Sequence, residues 1–275
     1  MSYAICAMRY ANMNILFIGD VNGKIGRQAV AKILPKLKKS QKIDFVFANA
    51  ENAAHGTGVT EDTLKELMDA GIDYFTNGDH AFDKIKQIDC YDKFPVLRPA
   101  NYSCDAPGKG YAVVEKGKYK ILLINLIGRV FMAADYDCPF RKADEILAKF
   151  AKKDMSAIII DIHAEATSEK VALKHYLEGR ASAVLGTHTH IMTADAEISS
   201  QGTAFITDIG MVGFADGCIG VDKEDIIKIF LTQIKQPHTI PEKGRAIFNA
   251  VLINIDSKTG QAKNIKPITK FVEIK

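Results

Sequence analysis

The sequence lacks the features that mark several large classes of protein. Its five cysteines are odd in number, widely spaced and without a C-x-x-C pair, which disfavours a disulfide framework and a cysteine-rich zinc site. No apolar run approaches the roughly 18 residues that a membrane-spanning helix needs. The formal net charge of +3, from 36 Lys and Arg against 33 Asp and Glu, is too small to indicate a nucleic-acid or membrane partner.

What is present is the composition of an ordinary globular protein. Of the 275 residues, 47% are hydrophobic and 25% are charged, which excludes long-range disorder. The apolar stretch over residues 4–8 is shorter than the about 7–15 residues of a secretory signal, and Arg9 follows it instead of preceding it. We therefore interpret residues 1–12 as an N-terminal extension, and we expect a cytoplasmic protein with one domain over residues 13–275.

Short apolar runs alternate with amphipathic stretches along most of the chain. Because the runs are unbroken and helices separate them, they indicate α/β architecture with a sheet covered on both faces. The predicted strands cover residues 15–18, 45–48, 72–75, 157–160, 183–185 and 204–206, with antiparallel pairs at 112–114 with 121–124 and at 247–255 with 265–274. The predicted helices cover residues 25–39, 60–71, 143–152, 168–179 and 223–233.

Polar side chains of the kinds that bind metals follow five of these strands. Since functional sites of open α/β sheets lie outside the carboxyl ends of the strands, we expect the five segments to converge. The candidate ligands offer carboxylate, amide and imidazole groups, which suit Zn, Mn, Fe or Co and exceed the needs of one tetrahedral ion. They fit two metals that share a bridging carboxylate. The candidates are Asp20, Glu51, Asn52, Asp79, His163, His188 and His190.

Several candidates also have a simpler explanation when they are taken alone. Asp20 could cap the helix that follows it, and Glu51 and Asn52 could be turn residues. His163 could be a hydrogen-bonded histidine of the core. The pair His188 and His190 is harder to explain without a metal.

With these residues assembled, the chain resembles the calcineurin-like metallophosphoesterases. Within them it is most similar to a bacterial branch, the YmdB-type proteins, which are known as 2′,3′-cyclic-nucleotide phosphodiesterases. The matching segments are GDV at 19–21, ENAAHG at 51–56, RPAN at 98–101, DIHAEATS at 161–168 and GTHTH at 186–190. The resemblance implies a four-layer α/β/β/α sandwich with a dinuclear site holding iron or manganese, with zinc as a further option.

The resemblance also implies a role for each candidate residue. One metal would be held by Asp20, Glu51, Asn52 and His190. The other would be held by Glu51, Asp79, His163 and His188, so that Glu51 is the bridge. His80 would be the catalytic histidine, close to the metals but not bound to them. The chain departs from the family at Asp79, because the branch usually has Gly-Asn-His where this sequence has Gly78-Asp79-His80.

The expected activity is hydrolysis of phosphodiester bonds, those of 2′,3′-cyclic nucleotides in particular, by in-line attack of a metal-bridging hydroxide. Metal-dependent amidohydrolysis fits less well, because its His-x-His pair usually opens the site on an early strand, whereas here the pair follows the last site-forming strand. A third hypothesis is a regulator that uses the metal site to bind nucleotide or RNA with little turnover. The sequence leaves an RNA partner and a homo-oligomer open.

Overall fold

The computed structural model describes residues 12–150 and 154–275. The predicted N-terminal extension therefore lies outside the described residues, apart from Asn12, which begins the first strand. The single domain over residues 13–275 stays a prediction. Within the described part of the chain, no helix combines the length and the apolar character needed to cross a membrane.

Seven strands form the first sheet, in the spatial order β2-β11-β12-β1-β3-β4, with β13 also paired to β12. β1, β3 and β4 run parallel to one another, whereas β12 is antiparallel to β1, β11 and β13. The strands are β1 (Asn12–Ile18), β2 (Asp20–Val21), β3 (Phe45–Asn49), β4 (Tyr74–Thr76), β11 (Met211–Phe214), β12 (Gly244–Asp256) and β13 (Gln261–Ile274).

Six strands form the second sheet, in the order β5-β6-β7-β8-β10-β9. β6, β7, β8 and β10 are parallel, and β5 and β9 close the two edges as antiparallel strands. The strands are β5 (Tyr111–Lys116), β6 (Tyr119–Ile127), β7 (Ala157–His163), β8 (Ala183–Thr187), β9 (Glu197–Ile198) and β10 (Ala204–Ile206). The hairpin of β5 and β6 and the pair of β12 and β13 confirm the two predicted antiparallel pairs.

Three apolar clusters hold these layers together. Phe17 and Phe47 of the first sheet and Ile159 of the second belong to the cluster between the sheets. Alternate residues of the same strands, such as Leu16 and Ile158, point outward into clusters shared with helices. Helices α1 (Gly23–Ser40) and α2 (Glu61–Asp69) contribute to the cluster outside the first sheet, and α4 (Pro139–Leu147) and α5 (Thr167–Leu177) to the cluster outside the second. The predicted four-layer α/β/β/α sandwich is therefore confirmed.

The sequence predicted the start of one helix correctly and the bounds of another wrongly. α2 begins as predicted after Thr60, whose hydroxyl accepts from the backbone N–H of Thr63 in a capping box. The helix predicted over residues 143–152 was wrong in its bounds. It begins at Pro139, because proline fits the first turn where no backbone donor is needed, and it ends at Leu147. Residues 151 and 152 of the predicted helix lie outside the described residues.

The periodicity of the sequence did not predict the shorter elements. These are β2, β9, β11, the four-residue helix α3 (Cys90–Lys93) and a 3₁₀ turn at Ile85–Gln87. The last helix, α6 (Lys223–Thr232), was predicted almost at its observed length. In the structure Gln233 is its C-cap and has a left-handed backbone conformation.

Candidate metal centre

The polar ends of five strands meet at one edge of the sandwich, as expected. The segments after β1, β3 and β4 come from the first sheet, and those at the ends of β7 and β8 come from the second. The sequence predicted convergence at the edge of an open sheet, but the edges of two facing sheets supply the residues. The centre therefore lies where both sheets present the carboxyl ends of parallel strands.

The first group of donors is formed by Glu51, Asp79, His163 and His188, whose ligand atoms lie within 4.8 Å of one another. His163 Nε2 lies 3.1 Å from both Glu51 Oε2 and Asp79 Oδ1. His188 Nδ1 lies 2.9 Å from the same nitrogen of His163. Two imidazole nitrogens and two carboxylates thus face one point, which is the arrangement a divalent cation requires.

The second group is formed by Asp20, Glu51 and His190. The amide of Asn52 adjoins it, because its Nδ2 lies 2.8 Å from Glu51 Oε1 and 3.1 Å from His190 Nε2. Glu51 belongs to both groups, so the two adjoin at its carboxylate. All seven candidate residues are therefore brought together, and their roles as metal ligands stay a prediction.

One buried atom indicates that the second group fits a metal ion. Asp20 is fully buried, and its Oδ1 has no hydrogen-bond partner, although such atoms are normally satisfied. Burial raises the pKa of this carboxyl. A cation in the second group would supply the missing partner.

The ionisable side chains of the first group shift one another's pKa values. Burial opposes ionisation of Glu51, but the neighbouring His163 outweighs it and lowers the pKa of the Glu51 carboxyl. Burial likewise opposes ionisation of Asp79, whose pKa is lowered by hydrogen bonds from His163 and His188. Against its own burial, the pKa of His163 is raised well above its ordinary value by Glu51 and Asp79. The group is thus built for a buried positive charge.

A hydrogen-bonded chain fixes the ring of His163. Its Nδ1 lies 2.9 Å from the hydroxyl of Thr187, which in turn donates to Asp161 Oδ1 at 2.8 Å. Asp161 is fully buried, and burial raises its pKa to about 7. With Nδ1 donating to Thr187, Nε2 is the ring nitrogen that faces Glu51 and Asp79, and it would be the ligating atom once a metal ion replaced its proton.

The other two histidines are oriented in the same manner. His190 Nδ1 lies 3.0 Å from the carbonyl oxygen of Ile219, which leaves Nε2 facing the second group. His188 Nε2 lies 3.1 Å from Glu165 Oε2, which leaves Nδ1 facing the first group. Sequence reasoning did not identify Thr187, Glu165 or Ile219 as partners, because adjacency in sequence says nothing about which ring nitrogen each contacts.

The loop that carries these two histidines has a strained backbone, and buried contacts hold it in place. His188 and His190 have φ values of 104° and 66°, which cost about 1–3 kcal/mol each for a non-glycine residue. Thr189 between them donates its backbone N–H and its hydroxyl to Asp208 Oδ2, at 3.0 and 2.8 Å. Asp208 pairs with Lys170 at 2.8 Å, and both side chains are fully buried. This buried ion pair therefore anchors the loop.

Gly78 is required where β4 leads into the centre. A Cβ atom at this position would lie 2.2 Å from His163 Nε2 and 2.3 Å from Glu51 Oε2. Any larger residue would displace the donors of the first group, so the backbone can pass the cluster only as glycine.

His80 stands beside both groups and belongs to neither. Its backbone N–H donates to Glu51 Oε2 at 3.3 Å, and its ring Nδ1 lies 2.8 Å from Asp83 Oδ2. Burial alone would lower the pKa of His80, but Glu51, Asp79 and Asp83 raise it. The partner Asp83 was missed by sequence reasoning, although its spacing of three residues was visible. Asp83 thus holds Nδ1 of the ring, and among the described residues no hydrogen bond of Nε2 is seen.

A pocket of about 580 Å³ opens over the two groups. Glu51, His80, His188 and His190 line one part of it. Such a volume is in the range of small-molecule sites.

Two facing sheets between helices, with buried carboxylates and imidazoles at the strand ends, define a metallophosphoesterase-type protein. The chain belongs to the YmdB-like protein family, whose profile matches residues 16–268. The family resemblance deduced from the sequence is therefore confirmed.

Three relatives illustrate the family. A protein of Bacillus subtilis (strain 168) named 2′,3′-cyclic-nucleotide 2′-phosphodiesterase is 48% identical over 257 residues, covering 93% of this chain and 96% of that protein. The structure of a hypothetical protein from Thermus thermophilus is similar with a TM-score of 0.88 at 40% identity, over 94% of this chain and 99% of the other. The structure of a novel phosphatase from Mycoplasma pneumoniae is similar with a TM-score of 0.90 at 32% identity, over 96% of this chain and 95% of the other.

Proposed function

We propose that this protein is a metal-dependent phosphodiesterase that hydrolyses 2′,3′-cyclic nucleotides. The observation that carries the proposal is the pair of donor groups that share Glu51 under an open pocket. The name of the Bacillus subtilis relative supports the substrate, because the two chains are similar over nearly their full lengths.

Each donor group would hold one divalent ion, iron or manganese by preference and zinc as a further option. The first group would hold one ion through Glu51, Asp79, His163 and His188. The second group, together with Asn52, would hold the other through Asp20, Glu51, Asn52 and His190. When bound, such ions lower the pKa of a water molecule and neutralise phosphate oxygens as charge develops. The oxygen and nitrogen donors, without thiolate, favour these metals over copper(I) or an iron–sulfur cluster.

The chain itself would supply the proton that the reaction requires. Hydrolysis forms a bond from a water oxygen to phosphorus and breaks one bond from phosphorus to a ribose oxygen. The departing ribose oxygen takes a proton, and His80 has a free Nε2 beside the pocket to donate it. Asp83 holds Nδ1 and so orients the ring for this transfer.

The test is turnover of three diesters by protein loaded separately with manganese and with iron. We expect 2′,3′-cyclic AMP to be hydrolysed with a higher kcat/KM than 3′,5′-cyclic AMP or an aryl phosphodiester. Saturable binding of 2′,3′-cyclic AMP without turnover under either metal would contradict the proposal and favour the regulator hypothesis. A cytoplasmic location, an RNA partner and a homo-oligomer stay predictions.

A further inference from the structure

The pocket over the metal-donor groups has an apolar side. Besides carboxylates and imidazoles, it is lined by Ile226, Ile229 and Phe230 of α6 and by Ile240. We call these four residues the apolar wall. None of them carries a hydrogen-bonding side chain, so the wall differs in chemistry from the donor end of the same pocket.

The position of α6 is not explained by core packing. None of its residues is buried, and Phe230 and Leu231 are each 80% exposed. Leaving large apolar side chains in water forgoes the main driving force of folding. An exposed apolar surface that is continuous with a polar centre is typical of a ligand-binding site.

Polar contacts at its start hold α6 in place instead. Asp222 caps the helix by accepting from the backbone N–H of Glu224 at 2.9 Å. The backbone N–H of Thr239 donates to Asp225 Oδ2 at 2.8 Å, and that of Asp222 donates to the Thr239 carbonyl at 2.8 Å. These bonds tie α6 to the segment that carries Ile240, and they leave the apolar side chains of the wall available to a ligand.

We infer that the apolar wall binds the base of the nucleotide, with Phe230 as the stacking residue. This inference rests on the proposed function, because it places the phosphodiester at the donor groups and the base at the apolar residues of the same pocket. Aromatic side chains stack on bases of any identity, since every base has a π face. The wall therefore accepts different bases, and it favours purines over pyrimidines through their larger stacking area.

The test compares two cyclic phosphodiesters, 2′,3′-cyclic AMP and glycerol 1,2-cyclic phosphate, which has no base. Phe230→Ala should raise KM for 2′,3′-cyclic AMP by about 5- to 150-fold, the worth of one base–aromatic stack, with kcat little changed. The same variant should hydrolyse glycerol 1,2-cyclic phosphate as the wild type does. Phe230→Tyr, which keeps the aromatic ring, should restore the wild-type KM.

Leu231→Ala is the matched control, because Leu231 is its neighbour, is equally exposed and does not line the pocket. It should leave KM unchanged for both substrates. The inference is overturned if Phe230→Ala changes both substrates equally or if Leu231→Ala has the same effect. Wild-type hydrolysis of both diesters with equal KM would overturn only the inference that the apolar wall binds the base. If the wild type hydrolysed neither diester, both the proposed function and the inference about the apolar wall would be overturned.

Discussion

His80→Ala is expected to lose about 10²- to 10⁴-fold in rate on 2′,3′-cyclic AMP while it keeps its full metal content. The metal should stay because His80 lies outside both donor groups. The rate should fall because the ribose oxygen loses its positioned proton donor. Steady-state kinetics and elemental analysis of the same sample measure the two effects.

The leaving group separates proton donation from other roles of His80. A nitrophenyl leaving group needs no proton, so the loss in His80→Ala should shrink on a nitrophenyl phosphodiester. His175→Ala is the control, because His175 lies on α5 with its side chain 62% exposed and lines no part of the pocket. Equal losses on both substrate types, or loss of metal, would show that His80 is not the proton donor.

Asp79→Ala is expected to lose metal from the first donor group and most of the activity. Its Oδ1 lies 3.1 Å from His163 Nε2 and 3.5 Å from His188 Nδ1, so it completes that group. We expect metal affinity there to fall by more than the about 10- to 100-fold that loss of an outer hydrogen-bond partner costs. Metal titration of the metal-free protein measures the change.

Asp79→Asn is the matched variant, because it keeps an oxygen donor of similar size and removes one negative charge. It also gives the Gly-Asn-His sequence that the family resemblance led us to expect. This variant should keep its metal and activity, with a changed preference among metals, because the charge of the donor set tunes affinity. Retention of full metal in Asp79→Ala would rule out Asp79 as a ligand.

The sequence was most informative where chemistry repeats at the ends of strands. Buried strands are short and apolar, so a carboxylate or imidazole directly after them stands out, as Asp20 and His163 do. Parallel strands also bring such residues to one edge without further information. The family resemblance then divided the candidates into the two sets that the structure brings together.

The residues that orient the ligands were not predictable in the same way. Lys170 and Asp208 lie far apart in sequence, and their buried ion pair exists only because α5 packs beside the loop of His188 and His190. Asp161 is two residues before His163, yet its contact runs through Thr187 of the neighbouring strand. Periodicity assigns residues to strands, but it does not report contacts across them.

The apolar wall was missed for a related reason. The pattern of residues 223–233 predicted a helix correctly, and an apolar helix is normally interpreted as part of a core. In the structure none of its residues is buried. Only the three-dimensional arrangement shows that Phe230 lines the same pocket as Glu51, His188 and His190.

Titration of the metal-free protein with Mn²⁺ tests the central claim most directly, when bound metal and turnover of 2′,3′-cyclic AMP are measured on the same samples. We predict that turnover is absent without metal and reaches its plateau only when two ions are bound per chain. A plateau at one ion, or turnover in the metal-free protein, would contradict a phosphodiesterase built on two donor groups that share Glu51.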